Sequence, residues 1–153
     1  MNEIPIISIV ILNYKTYYDT IDFVEQIRLQ EDINLSILIV DNCSPNNSFK
    51  ILSDYYKSDN KVKVILSGRN GGYASGNNFG FRYLEDKETE YILISNNDII
   101  IHDRLLLSNL INSYLKCERP AFLSPLMLNQ NGKQQRLSSW NIPNFLEDVM
   151  NLM

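Results

Sequence analysis

One histidine and two cysteines are all that the chain offers toward the commonest nucleophilic, zinc and redox chemistries. Cys43 and Cys117 fall in different predicted elements with no C-x-x-C or metal-ligand spacing, so free thiols in a reducing compartment are the expectation. His102 lies just past the fourth predicted strand, where a surface or capping role suits a lone histidine better than that of a base. No Ser-His-Asp, Cys-His or H-E-x-x-H constellation is discernible. Positive charge is also short: 14 Lys and Arg against 18 Asp and Glu give a net charge of -4. That balance argues against a nucleic-acid backbone or an anionic membrane as direct partner, because both reward a basic face. A phosphorylated small molecule stays open, provided amides or a metal supply the positive field.

Long apolar runs are missing as well. Residues 4–12 form the longest stretch near the start; they are too few to span a bilayer and lack the basic flank of a signal peptide. A cytoplasmic protein is expected, with association at the inner membrane surface through a partner left open. With 44% hydrophobic and 21% charged residues the chain reads as one ordinary globular domain, without a disorder, collagen or coiled-coil bias. A chain of this length buries roughly 70% of the surface its unfolded form exposes, enough for a real core.

Short β-branched runs alternate with longer segments of helical period, the pattern of a parallel sheet covered on both faces. The predicted strands are residues 6–12, 36–40, 61–67 and 91–95. A helix is expected after Thr16, which forms a capping-box-like pair with Asp19, with Phe23, Val24 and Ile27 on its apolar face. Further helices are expected from Ser48 as cap, from about Tyr73 to before Asp86, and over residues 104–116. Residues 121–128 read as extended, and Asn131-Gly132 as the turn of a hairpin. The final NIPNFLEDVMNLM opens an amphipathic element and stops, which suggests an interrupted chain or one completed by a partner.

Polar residues gather where these strands end. The first strand delivers Asn13, Tyr14 and Lys15, and the second Asp41, Asn42 and Ser44. The third leads into Arg69, Asn70, Gly71 and Gly72, and the fourth into Asn96, Asn97 and Asp98. Ligands of open α/β sheets bind in the crevice beyond the carboxyl ends of the strands, so these residues read as a single polar site. Asp41 can accept a hydrogen bond from a base N–H or a ribose hydroxyl. Asp98 interrupts the apolar run YILISNNDIII in an N-x-D arrangement with Asn96. A hard ion, Mg²⁺ or Mn²⁺, bridging to a diphosphate would supply its positive partner. The competing role for Asp98 is to cap the helix that follows, although Asp103 is better placed for that.

GRNGGYASGNNFG carries neither a P-loop nor the G-x-G-x-x-G fingerprint in its strand-turn-helix context. Its glycines serve either close backbone approach to a ligand or tight helix-sheet packing, while Asn70, Asn77 and Asn78 add amides. Tyr17, Tyr18, Tyr55 and Tyr56 sit in helical contexts and read as amphipathic cover rather than a stacking platform.

Four blocks in order, SIVILNYKTYYDT, ILIVDNCSPNNS, NGGYASGNNFGFR and YILISNNDIII, resemble the amino-terminal half of a family 2 glycosyltransferase, its rhamnosyltransferase-like branch above all, over residues 6–127. The resemblance implies an α/β, Rossmann-like GT-A nucleotide-binding domain, a mostly parallel central sheet flanked by helices, with the carboxyl-terminal half missing. Residues 1–127 would be the nucleotide-sugar-binding half, and residues 128–153 the start of the acceptor region, a hairpin and an incomplete helix. It further implies a nucleoside-diphosphate sugar donor. Asn13 and Tyr14 would line the nucleotide pocket, Asp41 would hold the base, and Asn70, Gly72, Asn77 and Asn97 would lie along the nucleotide and sugar. Asp98 would be the metal-binding member of the family's D-x-D motif, with Asn96 in place of the first aspartate and Mg²⁺ or Mn²⁺ as the ion. One fewer negative charge weakens ion binding without abolishing it.

The implied activity is an inverting transfer to a glycan or lipid-linked acceptor in polysaccharide biosynthesis. The family's general base lies in the carboxyl half, so no catalytic residue is assigned. The alternative is a truncated, non-catalytic nucleotide-sugar-binding module or remnant, completed by a partner chain. A receiver-type signalling domain is also α/β with acidic strand ends. It requires an acidic pair after the first strand, where this chain has Asn13-Tyr14-Lys15.

Overall fold

A computed structural model of the protein describes residues 4–118, 120–129 and 131–134. It has a four-stranded sheet of β1 (Ile6–Asn13), β2 (Asn34–Asp41), β3 (Val62–Leu66) and β4 (Tyr91–Ser95) in the order β3-β2-β1-β4. Every adjacent pair is parallel. The helices are α1 (Tyr17–Ile27), α2 (Ser48–Tyr55), α3 (Gly72–Leu84) and α4 (Leu106–Lys116). The α/β class and the parallel sheet expected from the alternating runs are both present. Because β2 and β3 extend the sheet to one side of β1 and β4 lies on the other, connections leave in opposite directions at β1, and a crevice opens at the carboxyl edge there.

The side-chain period of two sends alternate residues of each strand to opposite faces. Ile7, Ile9, Ile11, Ile37 and Ile39 pack with Phe23, Val24 and Ile27 of α1, Leu52 of α2, and Leu107 and Ile111 of α4. Val10, Leu38 and Val40 face the other way, toward α3 and its Leu84. With apolar cover on both sides, β1 and β2 read as unbroken hydrophobic runs.

The second layer lies close because two glycines of α3 meet the sheet. A Cβ at Gly80 would come within 2.7 Å of Val10 Cγ1 and 3.1 Å of Val40 Cγ2, and one at Gly76 would reach Leu12 Cδ1 at 2.3 Å. Gly72, by contrast, has a φ of +80° and open space around it, as its place at the loop end requires. Of the two roles left open for this glycine-rich segment, Gly76 and Gly80 thus take tight helix-sheet packing. Gly80→Ala is expected to cost about 1–3 kcal/mol of stability despite alanine's better helix propensity, because stiff β-branched valines cannot yield. Urea denaturation measures it, and a stabilised variant would show that α3 can rise from the sheet without loss.

Several local expectations give way to tertiary contacts. β4 is an edge strand: Tyr91 and Leu93 pack into the larger core, but Ile92 and Ile94 are 41% and 40% exposed because α3 covers β1 and β2 instead. Thr16 makes no capping bond to α1, and its hydroxyl is taken by Asn97. Ser48 lies inside α2 rather than capping it, and its hydroxyl donates to Asn46 Oδ1. α4 starts at Leu106 rather than Arg104, after Asp103 Oδ1 has accepted the Leu105 N–H. Tyr17 and buried Tyr56 cover the core as expected, whereas Tyr18 and Tyr55 are exposed.

The chain divides into two compact units after Glu118. In the second, the Asn131-Gly132 turn forms with φ +69° at Gly132, and Asn129 Oδ1 accepts the N–H groups of Asn131 and Lys133. An antiparallel bridge, Leu128 with Gln134, closes it. Among the described residues, the extended piece expected over residues 121–128 makes no strand pairing beyond that bridge. The terminal amphipathic segment read from the sequence lies outside the described residues.

Candidate functional site

Asn13 and Asp41 end neighbouring strands in direct register, and both are fully buried. Their side chains meet: Asn13 Nδ2 donates to Asp41 Oδ2 at 2.7 Å. The other oxygen of Asp41 accepts the Ser44 N–H at 2.8 Å, so the carboxyl group is satisfied from inside the protein. Asn13 Oδ1 accepts from Thr20 Oγ1 at 2.9 Å. Thr20 Oγ1 in turn accepts from Asn97 Nδ2 at 2.8 Å, and Thr16 Oγ1 accepts from the same nitrogen at 2.7 Å. An unbroken hydrogen-bonded chain therefore runs from the loop after β4, through α1 and β1, to the end of β2, across the crevice between β1 and β4.

A second network binds the loop before α3 to the end of β2. Asn42 Nδ2 donates to Asn70 Oδ1 at 3.0 Å and to the Gly72 carbonyl at 3.3 Å, and Asn42 Oδ1 accepts from Ser67 Oγ at 3.2 Å. Asn70 Oδ1 also accepts the Gly72 N–H at 3.0 Å. Asn77, 4% exposed, has neither its amide nitrogen nor its amide oxygen hydrogen-bonded among the described residues. Its neighbour Gly76 abuts Asn42, so this unmet amide lies at the seam between α3 and the end of β2.

The rim above these floors is held in uncommon backbone. Lys15 and Cys43 have φ of 70° and 57°, a left-handed conformation that costs non-glycine residues about 1–3 kcal/mol each. It persists because the two loops clamp each other. Ser44 Oγ accepts the Lys15 N–H at 2.9 Å, and Asn46 Nδ2 donates to the Lys15 carbonyl at 3.0 Å. The Lys15 ammonium stands 4.8 Å from the centre of the Tyr14 ring.

The positions expected from the sequence to form the site therefore group as follows. Asn13, Asp41 and Asn97 belong to one network, and Asn70 and Gly72 to the other. Tyr14, Asn96 and Asp98 are exposed at the same carboxyl edge, beyond the ends of β1 and β4. Asp98 makes no hydrogen bond within the described residues. No cluster of three or more His, Cys, Asp or Glu side chains suited to a metal occurs among the described residues. The exposed Asp98 and Asn96 fit the other mode of binding a hard ion, in which one carboxylate and few protein oxygens hold it while phosphates and water complete the shell. His102 is exposed and both cysteines are free thiols. A cavity of about 430 Å³ near the start of β1, lined by Ile4, Pro5, Asp32, Leu105 and Ile111 among others, contains none of these residues.

Thr20 is the member that the sequence reading overlooked. It precedes Phe23, Val24 and Ile27 on the same helical face, so a fully buried hydroxyl occupies a core position. A polar residue on an apolar stripe was the available signal. Ser67 had no such mark, since its partner Asn42 comes from another strand.

Comparison with known proteins bears on the fold and the family. Glycosyltransferase GlyG of Streptococcus pneumoniae serotype 4 is 32% identical over 101 residues, covering 66% of this chain and 33% of that protein. The low-salt glycan biosynthesis hexosyltransferase Agl10 of Haloferax volcanii is 29% identical over 127 residues, covering 82% of this chain and 38% of its own length. The chain thus spans about a third of the curated relatives it matches. Among solved structures, a mannosyltransferase of Pyrobaculum calidifontis in complex with GDP-mannose and Mn²⁺ superposes with a TM-score of 0.63. It is 14% identical, with 74% of this chain and 33% of that one covered, a likeness of fold. The model of the family described as Glycosyl transferase family 2 matches residues 8–150. A GT-A-type parallel sheet with four polar strand ends on one edge, and a family match over nearly the whole sequence, place the chain in glycosyl transferase family 2.

Proposed function

We propose that the carboxyl edge of the sheet binds a nucleoside-diphosphate sugar and serves its transfer, with inversion, to a glycan or lipid-linked acceptor. The observation that carries this reading is the chain of hydrogen bonds from Asn97 to Asp41, which ties the ends of β4, β1 and β2 into one polar floor. Separate loops that were merely polar would have no reason to share a buried network.

In this reading the nucleotide lies over β1 and β2 against the exposed Tyr14, with Asn13 and Asp41 as the sealed floor beneath it. Asn70, Gly72, Asn77 and Asn97 run along the nucleotide and sugar. The unmet amide of Asn77 supports its place there, since a buried amide without partners costs about 1–3 kcal/mol that a ligand hydroxyl or water can recover. Asp98 and Asn96 would hold Mg²⁺ or Mn²⁺, which supplies positive charge to the diphosphate leaving group when bound. The chain's own part is to fix the donor and exclude alternative poses, so that the acceptor hydroxyl can attack in line. The positively charged Lys15 and Arg69, exposed on two of the strand-end loops, add to the field an anionic ligand meets.

Titration of the full chain with UDP, GDP and dTDP and their sugar conjugates, with and without Mn²⁺, tests the reading. Saturable binding of at least one diphosphate, tightened by Mn²⁺, is the expected result. Absence of binding across the panel removes the assignment. Binding without transfer to any acceptor marks a donor-binding module.

A further inference from the structure

We infer that Thr20 is a positioning residue that couples occupancy of the nucleotide pocket to divalent-ion binding at the loop after β4. The inference rests on the donor-site reading above and adds to it the route by which two parts of the site act together.

The direction of each hydrogen bond carries the argument. Both N–H groups of the Asn97 amide are engaged by hydroxyls, with Thr16 Oγ1 at 2.7 Å and Thr20 Oγ1 at 2.8 Å. A hydroxyl has one proton to give. That of Thr20 goes to Asn13 Oδ1 at 2.9 Å, with the Thr16 carbonyl a longer alternative at 3.2 Å. Asn13 then donates to Asp41. Every donor points the same way, from the metal-side loop toward the carboxyl group at the end of β2. Aligned hydrogen bonds polarise one another, most strongly where water is excluded, and Thr20, Asn13 and Asp41 are all 0% exposed.

Thr20 is the one member that joins the β4 side to the β1 side. Apart from it, Asn97 is held among the described residues only by Thr16, an exposed residue, and the backbone pairing of β1 with β4 stops at Ile11 and Ser95, short of both Asn13 and the Asn96–Asp98 turn. A ligand that fixes the half-buried Ser44 at the rim, whose N–H is given to Asp41 and whose hydroxyl accepts from Lys15, therefore bears on Asn13 through Asp41 and on Thr20 through Asn13. Thr20 then fixes Asn97, whose two sequence neighbours are Asn96 and Asp98. Linkage requires the reverse: an ion held at Asp98 tightens the pocket by the same factor.

The test compares affinity for the tightest-binding nucleoside diphosphate of the panel in Mn²⁺ with that in EDTA, by calorimetry on the full chain. Thr20→Val keeps the shape and removes the hydroxyl, and is expected to lower the Mn²⁺ enhancement about tenfold, the worth of a good hydrogen bond. Thr20→Ser is expected to restore it. A role confined to packing would lower affinity equally with and without the ion, and that result overturns the proposal, as does an unchanged ratio. Should Thr20→Val fail to fold, Thr20→Ala removes the same hydroxyl while leaving room for a water. It is expected to reduce the same ratio, and an unaltered ratio there also overturns the proposal. Wild-type chain that binds no diphosphate sinks both the donor-site reading and this inference. Wild-type binding with variants indistinguishable from it sinks the inference alone.

Discussion

Asp41→Ala is expected to destabilise the fold by about 2–5 kcal/mol, because it strands two buried donors at once. The Asn13 amide and the Ser44 N–H both end on this carboxyl group, and no water reaches a residue that is 0% exposed. Each buried donor left without a partner costs about 1–3 kcal/mol, and the lost volume adds a cavity term. The damage spreads, since Ser44 is also the residue whose hydroxyl holds Lys15 in its left-handed conformation. Against a total stability of about 5–15 kcal/mol for a domain of ordinary size, such a loss leaves little margin. Asp41→Asn keeps the shape and one acceptor oxygen, so it is expected to lose roughly half as much. Chemical denaturation of the two variants distinguishes this structural role from one confined to ligand contact. Wild-type stability in Asp41→Ala, with affinity alone reduced, would place the carboxyl group in contact with ligand rather than in the floor.

Asp98→Ala is expected to do the opposite, leaving stability unchanged and removing about 100-fold of the Mn²⁺-dependent tightening of diphosphate binding. Asp98 is exposed and takes no hydrogen bond within the described residues, so folding asks nothing of it. With Asn96 at the first position of the motif, Asp98 is the sole carboxylate of the N-x-D arrangement. Affinity in EDTA is expected to match the wild type. Calorimetry in Mn²⁺ decides the matter: undiminished metal-dependent affinity in the variant excludes Asp98 as the ligand. The paired results, one aspartate for the fold and one for the ion, separate two carboxylates that the sequence presents in the same way, each following an apolar strand.

How far the sequence reached differs between the fold and the site. Strand positions were legible because β1 and β2 are covered on both faces and must be apolar at nearly every position. The edge character of β4 was not, since Ile92 and Ile94 are as apolar as buried residues and only the position of α3 leaves them exposed. Capping patterns misled for a related reason: the hydroxyls of Thr16 and Ser48 had nearer partners in Asn97 and Asn46 than the helix ends. The list of strand-end residues came from the sequence, but their division into two networks did not, because the partners lie up to 81 positions apart along the chain.

By itself the sequence determined the class of fold, the edge on which polar residues collect and the family, because each is written in local pattern or in the order of short blocks. Only the tertiary structure decided that Asp41 is sealed while Asp98 stands open at the same edge, and that Thr20 joins Asn97 to Asn13. Burial and hydrogen-bond direction depend on what packs alongside, and the packing of α1 and the neighbouring strands sets both.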